Sequence, residues 1–183
     1  MPPQSLSLLL VSDSHHDIHG LSVALRKFAG KVDMLIHLGD GVEDIERASI
    51  AAGIAVPRYE AVRGNLDADY SLPTRLTLEL NGRLAFIAHG HLESAHSGIE
   101  GVLASARAAG ADLALFGHTH RPFLEEYGGL LLVNPGSISR PRGYSARGFA
   151  VLEVPEDPAS WCEARFYAID PEGRVREIEA PVG

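Results

Sequence analysis

Leu6-Ser7-Leu8-Leu9-Leu10-Val11-Ser12-Asp13-Ser14-His15 is an apolar run that gives way abruptly to a polar loop. Unbroken aliphatic residues from Leu8 to Val11 leave no alternate positions for solvent. That is the pattern of a strand buried on both faces, as in parallel sheets covered by helices. The same arrangement recurs down the chain. Residues 32–38 are apolar and end in Gly39-Asp40-Gly41, and residues 56–62 end in Arg63-Gly64-Asn65-Leu66-Asp67. Residues 83–88 end in His89-Gly90-His91, and residues 111–116 in Gly117-His118-Thr119-His120. Helical spacing lies between: Leu21, Leu25 and Phe28 with Gly30 as C-cap, a helix over residues 43–52, and a third marked by Ile99, Val102, Leu103 and Ala106. Glu43 and Asp44 fall in the first turn of the second helix, where negative charge suits the helix dipole. Alternating strand and helix predicts a parallel sheet.

Beyond residue 73 the pattern changes. Residues 74–80 alternate, Asn81-Gly82 is a two-residue turn, and residues 83–88 run back, which predicts an antiparallel hairpin. Further strands are expected at 130–133, 148–154 and 161–169, with a turn at 155–158. Parallel βα units mixed with antiparallel strands predict an α/β fold of two mixed sheets packed face to face with helices outside, a four-layer α/β/β/α sandwich. The 183 residues suit a single domain over 1–183, long enough to bury about 70% of the unfolded surface.

Composition narrows the function. Sixteen Lys+Arg against 24 Asp+Glu give a net charge of −8, which argues against a duplex nucleic-acid partner, since that requires cationic neutralisation of phosphates. A small phosphorylated substrate stays compatible if a metal supplies local positive charge. The single cysteine, Cys162, excludes an internal disulfide framework and a cysteine-based zinc finger. The first residues lack the basic region and cleavage site of a secretion signal, and no run approaches the roughly 20 apolar residues of a membrane span. The expectation is a cytoplasmic protein without a membrane partner, for which a homo-oligomer is compatible.

The nine histidines are clustered, and the ends of five successive strands carry Asp13/His15, Asp40, Asn65/Asp67, His89/His91 and His118/His120. Ligands of α/β sheets bind beyond the carboxyl ends of the strands, so these residues are expected to converge. Asp, His and Asn without cysteine suit Mn²⁺, Fe, Zn²⁺, Ni²⁺ or Co²⁺. Two such ions about 3.5–4 Å apart can clamp both oxygens of a phosphoryl displacement.

In order and spacing, Asp13-x-His15, Gly39-Asp40, Gly64-Asn65-x-Asp67, His89-Gly90-His91 and Gly117-His118-Thr119-His120 resemble the calcineurin-like metallophosphoesterases. With Asn134-Pro135-Gly136-Ser137, they are most similar to the small prokaryotic YfcE-type phosphodiesterases, over residues 6–154. The resemblance implies two divalent ions, manganese first among the candidates. Asp13, His15 and His120 would hold one, Asn65, His89 and His118 the other, and Asp40 would bridge them. It implies hydrolysis of phosphodiesters by a hydroxide shared between the ions.

Many relatives have a histidine where this chain has Leu66, and that histidine can protonate the leaving group. Here the acid would be Asp67, His91 or water, which favours substrates with good leaving groups. His91 is equally read as a residue that orients a ligand or touches phosphate. His16 stands where relatives often carry glycine. Alternatives on the same site are a phosphomonoesterase or nucleotide phosphatase, or a non-catalytic Vps29-like scaffold, though a scaffold has no need of the full ligand set. Other readings also stand: Asp40 as an N-cap of the helix at Glu43, Asn65 as a turn residue, and His37 as a hydrogen-bonded core histidine. His16, His19 and His96 read as solvated, Arg140 and Arg142 as surface cations able to attract phosphate, and the Asn134–Ser137 segment as shaping the rim.

Overall fold

The computed structural model describes residues 5–181; the outermost residues of the expected 1–183 domain lie outside it. Among the described residues, three helices and eleven strands make the four layers. One sheet of six strands has the order β11-β10-β9-β1-β2-β3, built from β1 (Ser5–Val11), β2 (Met34–His37), β3 (Arg58–Ala61), β9 (Gly148–Pro155), β10 (Glu163–Ile169) and β11 (Val175–Ile178). The other has the order β4-β5-β6-β8-β7, from β4 (Arg75–Leu80), β5 (Arg83–Ala88), β6 (Leu113–Phe116), β7 (Pro122–Tyr127) and β8 (Leu130–Pro135).

The alternation of strand side chains explains why β1 has no polar face. Leu8 and Leu10 point between the sheets and pack with Ile36, Ile87, Leu115, Val133 and Leu152. Leu9 and Val11 point the other way, onto α1 (Ile18–Phe28) and α2 (Asp44–Ala52), with Leu21, Leu25 and Ile45. On the far side, Phe86, Ala114, Phe116 and Leu132 pack on α3 (Glu100–Ala108) through Val102 and Ala106. β1 pairs parallel with β2 and antiparallel with β9, so it lies mid-sheet. The hairpin of β4 and β5 turns at Asn81 and Gly82, with φ of 49° and 77°, as a type I′ turn requires.

Several expectations change in detail. Two strands not read from the sequence, β7 and β11, form sheet edges. The last long strand begins at Glu163, leaving Trp161 80% exposed. Asp17 caps α1 by accepting the Gly20 N–H at 2.9 Å, and Ala29, with helical backbone, takes the C-cap place ahead of Gly30. Asp40 does not cap α2. Glu43 holds that position without a side-chain bond, which leaves the Asp40 carboxylate for other partners. No helix among the described residues is long and apolar enough to cross a membrane.

Candidate metal centre

The loops that follow β1, β2, β3, β5 and β6 meet at one end of the two sheets, and their backbone is bent to aim side chains inward. Eight non-glycine residues among those described have positive φ. Six of them are Asp13, His15, His16, Asp40, His118 and His120, at 42° to 68°. Such conformations are costly for L residues and persist where surrounding structure over-determines them. Gly64 contributes in another way. A Cβ there would strike the carboxylate and backbone of Asp40, so only glycine lets the Asn65 loop approach.

Asp13 is fully buried. Its Oδ2 accepts the Ser12 hydroxyl at 2.6 Å and the His118 N–H at 3.1 Å, while Oδ1 has no hydrogen-bond partner. Around Oδ1 stand His120 Nε2 at 3.1 Å, His15 Nε2 at 3.7 Å and His89 Nε2 at 3.9 Å. Asp40 accepts the Leu66 N–H on Oδ1 at 2.8 Å. Its Oδ2 lies 3.5 Å from His89 Nε2 and 3.9 Å from His15 Nε2. The rings are fixed from behind: His89 Nδ1 lies 2.6 Å from the Leu38 carbonyl and His120 Nδ1 2.6 Å from that of Arg140. An N–H donated there leaves each Nε2 lone pair facing the carboxylates, the usual support of a metal-ligating histidine.

Electrostatics follow from this crowding. Burial opposes ionisation of Asp13, but the close approach of the His120 ring and the charge of His89 outweigh it and lower its pKa. Asp40 is likewise lowered to about 2, with the nearby His89 ring overcoming burial. His89 and His120 are raised despite burial, through Asp40 and Asp13 respectively. His15 and His91 are lowered by burial, and His118 is lowered to about 4 by burial and the neighbouring His89. A divalent ion would take the place of the protons on His89 and His120, so its uptake weakens as pH falls.

Asp13, His15 and His120 form one group whose ligand atoms lie within 4.8 Å of one another, and Asp13, Asp40 and His89 form another. The unpartnered Asp13 Oδ1 and His89 Nε2, both buried and both facing this cluster, fit a divalent cation. Asn65 and His118 join His15, Asp40 and His120 in lining the open cleft above it, of about 380 Å³, together with Leu66, Arg140 and Arg142. The His118 ring is 5.0 Å from that of His89, centre to centre, and His91 is 5.4 Å from His89 on the same side.

Asp67 sits otherwise than expected. Its carboxylate accepts the N–H groups of Asp40, Gly41, Val42 and Gly64 at 2.7–3.1 Å, tying two loops together. Both oxygens are engaged with donors, so it is arranged to accept hydrogen bonds, not to hand on a proton. His37 is a core histidine. Nδ1 accepts the Gly39 N–H at 3.1 Å and Nε2 faces the Ser14 hydroxyl at 3.2 Å; burial lowers its pKa to about 4. Asn134 is buried and donates to the Gly117 carbonyl at 2.9 Å, and Ser137 donates to that of Asp13 at 2.9 Å, which shapes the rim. His96 lies beside Arg142 at 3.5 Å on an adjoining cleft floored by Phe116 and Phe123. Sequence reasoning missed Ser12 and Ser14, whose only signal was their place at the end of β1, and read Asp44 only as a first-turn acid of α2.

The comparisons agree with this geometry. Residues 6–157 match the model of the calcineurin-like phosphoesterase superfamily domain. The chain is 32% identical over 162 residues to "Probable metallophosphoesterase YsnB" of Bacillus subtilis, covering 88% of this chain and 90% of that protein. It is 28% identical over 169 residues to "Phosphodiesterase YfcE" of Escherichia coli K12, covering 81% and 88%. A crystal structure of a conserved Streptococcus pneumoniae TIGR4 protein, named as a predicted phosphoesterase, superposes with TM-score 0.75 at 28% identity over 96% of this chain and 98% of that one. The fold is also that of Vps29 from Chaetomium thermophilum, with TM-score 0.73 at 19% identity over 94% and 96%. The chain belongs to the calcineurin-like phosphoesterase superfamily.

Proposed function

We propose that this calcineurin-like phosphoesterase hydrolyses phosphodiesters at the rim where its two sheets meet, using two divalent metal ions. One observation carries the reading: two buried aspartates and three histidines direct their ligand atoms at one spot, and two of those atoms have no protein partner. In this reading Asp13, His15 and His120 hold one ion, Asn65, His89 and His118 the other, and Asp40 serves both, with manganese the preferred metal. When bound, such ions activate water at neutral pH and neutralise charge on phosphoryl oxygens.

The chain's own residues do the positioning. The Leu38 and Arg140 carbonyls hold His89 and His120 in the tautomer that ligates. Arg140 and Arg142 line the cleft and attract the phosphate, a charge contribution to the transition state. Leu66, 65% exposed at the mouth, has no proton to give, and Asp67 is occupied by backbone N–H groups. His91, kept mostly neutral by burial, is left to orient the second ion's histidines or meet the phosphate. Leaving groups that depart as stable anions are therefore favoured, such as aryl esters.

The test strips the protein with chelator and restores Mn²⁺, Ni²⁺, Co²⁺, Zn²⁺ or Mg²⁺ singly. Release of p-nitrophenol is followed from bis-p-nitrophenyl phosphate and from the monoester, with Asp40→Ala and His89→Ala alongside. Metal-dependent diester cleavage that both variants lose by 10²-fold or more is the expected result. Faster monoester cleavage would replace the diesterase reading with a monoesterase. Binding of two metals without cleavage of either ester would leave the Vps29-like scaffold as the better account.

A further inference from the structure

We propose that His16, Glu43 and Asp44 form an accessory divalent-cation site, separate from the centre described above, that fastens the loop after β1 to the first turn of α2. His16 Nδ1 lies 3.4 Å from Glu43 Oε1 and 3.5 Å from Asp44 Oδ1, and the three ligand atoms fall within 4.8 Å of one another. Donors that share one tetrahedral zinc ion, at bond lengths of about 2.1 Å, stand roughly 3.4 Å apart. The two separations from His16 are thus already those of a coordination polyhedron.

Asp44 supplies the second observation. Its side chain is fully buried, and its Oδ2 accepts the Ser14 hydroxyl at 2.6 Å and the His16 N–H at 2.9 Å. Its Oδ1 has no hydrogen-bond partner, yet it faces the His16 ring. A buried carboxylate oxygen left bare is costly, and buried polar atoms are nearly always satisfied. A cation at this point satisfies it. The adjoining His15 and His16 divide their work, since His15 Nε2 faces Asp13 and Asp40 while His16 Nδ1 faces α2.

One imidazole and two carboxylates suit zinc and its neighbours better than calcium or magnesium, which prefer all-oxygen sites. Water would complete the shell, because the His16 and Glu43 side chains are 69% and 53% exposed. The competing cation is Arg47, whose Nη1 is 3.7 Å from the same Glu43 oxygen. That exposed pair, one helical turn apart, is weak and readily displaced.

The test compares the full-length wild type with the double variant His16→Ala/Glu43→Gln, both positions being exposed enough to leave the fold intact. After chelation, each is dialysed against buffered free Zn²⁺ and its zinc counted by mass spectrometry. Zinc-edge anomalous diffraction is collected on wild-type crystals soaked in Zn²⁺. The expected result is one fewer zinc per chain in the variant, with an anomalous peak bounded by His16 Nδ1, Glu43 and Asp44. Equal zinc in both proteins, or no peak there, reduces the cluster to a histidine–carboxylate ion pair and overturns the proposal. Neither readout depends on ester hydrolysis, so an inactive protein that still shows this peak would refute the function above and leave this site standing.

Discussion

Replacing Asp67 by alanine removes the acceptor of four backbone N–H bonds at once, those of Asp40, Gly41, Val42 and Gly64. A buried donor that loses its partner costs about 1–3 kcal/mol. Asp67 is half-buried, so water reaches some of the freed groups, and about 1 kcal/mol each is the appropriate figure, hence about 4 kcal/mol in all. For a chain of this size that lowers Tm by roughly 10 °C. Because two of the donors belong to Asp40 and Gly64, the loops carrying Asp40 and Asn65 loosen together, and metal uptake falls with stability. Asp67→Asn should show the same losses in reduced form, since one amide oxygen can still accept while the amide nitrogen faces donors. Thermal unfolding of chelator-treated protein and metal content at fixed free Mn²⁺ measure the two effects. The reasoning is refuted if Asp67→Asn keeps the wild-type Tm and metal content but slows hydrolysis of esters with poor leaving groups alone. That pattern belongs to a proton donor.

Three further outcomes are expected. His37 is neutral in the fold, with its pKa lowered from 6.5 to about 4 by burial, so the unfolded chain binds the extra proton between those values. Its contribution is whole above pH 6.5 and is lost as pH falls towards 4, by up to about 3 kcal/mol; denaturant titrations of metal-free wild type and His37→Gln at pH 7 and 4.5 isolate it from the opposite trend of His89 and His120. Gly64→Ala drives a methyl group into the Asp40 carboxylate and backbone and should abolish tight metal uptake and lower Tm together, as calorimetry with Mn²⁺ and thermal unfolding would show. Leu66→His restores a proton donor at the exposed mouth of the cleft and should speed cleavage of alkyl diesters by about 10²-fold, leaving bis-p-nitrophenyl phosphate nearly unaffected.

The parts of the fold legible in the sequence are those whose burial leaves one solution. The runs at Leu8–Val11 and Leu113–Phe116 are covered on both faces, so composition alone marks them. β7 and β11 escaped because, unlike the edge strand β4, they show no alternation. β7 opens on Pro122, carries Glu125 and Glu126 side by side, and is mostly half-exposed, so no alternation survives. Of the centre, the residues at strand ends were legible because glycines beside Asp, Asn and His announce tight loops. The direction of a carboxylate was not legible. Asp40, Asp44 and Asp67 look alike in sequence, yet one faces the histidines, one is split between Ser14 and a bare oxygen, and one is consumed by N–H groups. Which occurs depends on backbone angles that a sequence does not display.

The strand order has a consequence for how the molecule is made. Sheet β4-β5-β6-β8-β7 is one uninterrupted stretch of chain, whereas the six-stranded sheet draws β1 to β3 from before it and β9 to β11 from after it. Leu10 in β1 is paired with Ala150 in β9, so this inner strand of the larger sheet gains its second neighbour only after the whole smaller sheet has been made. Pairing over such sequence distances is slow, and until it happens the run from Leu8 to Val11 is a bare aliphatic edge. The smaller sheet can consolidate during synthesis; the larger one has to wait until β9 to β11 have been made.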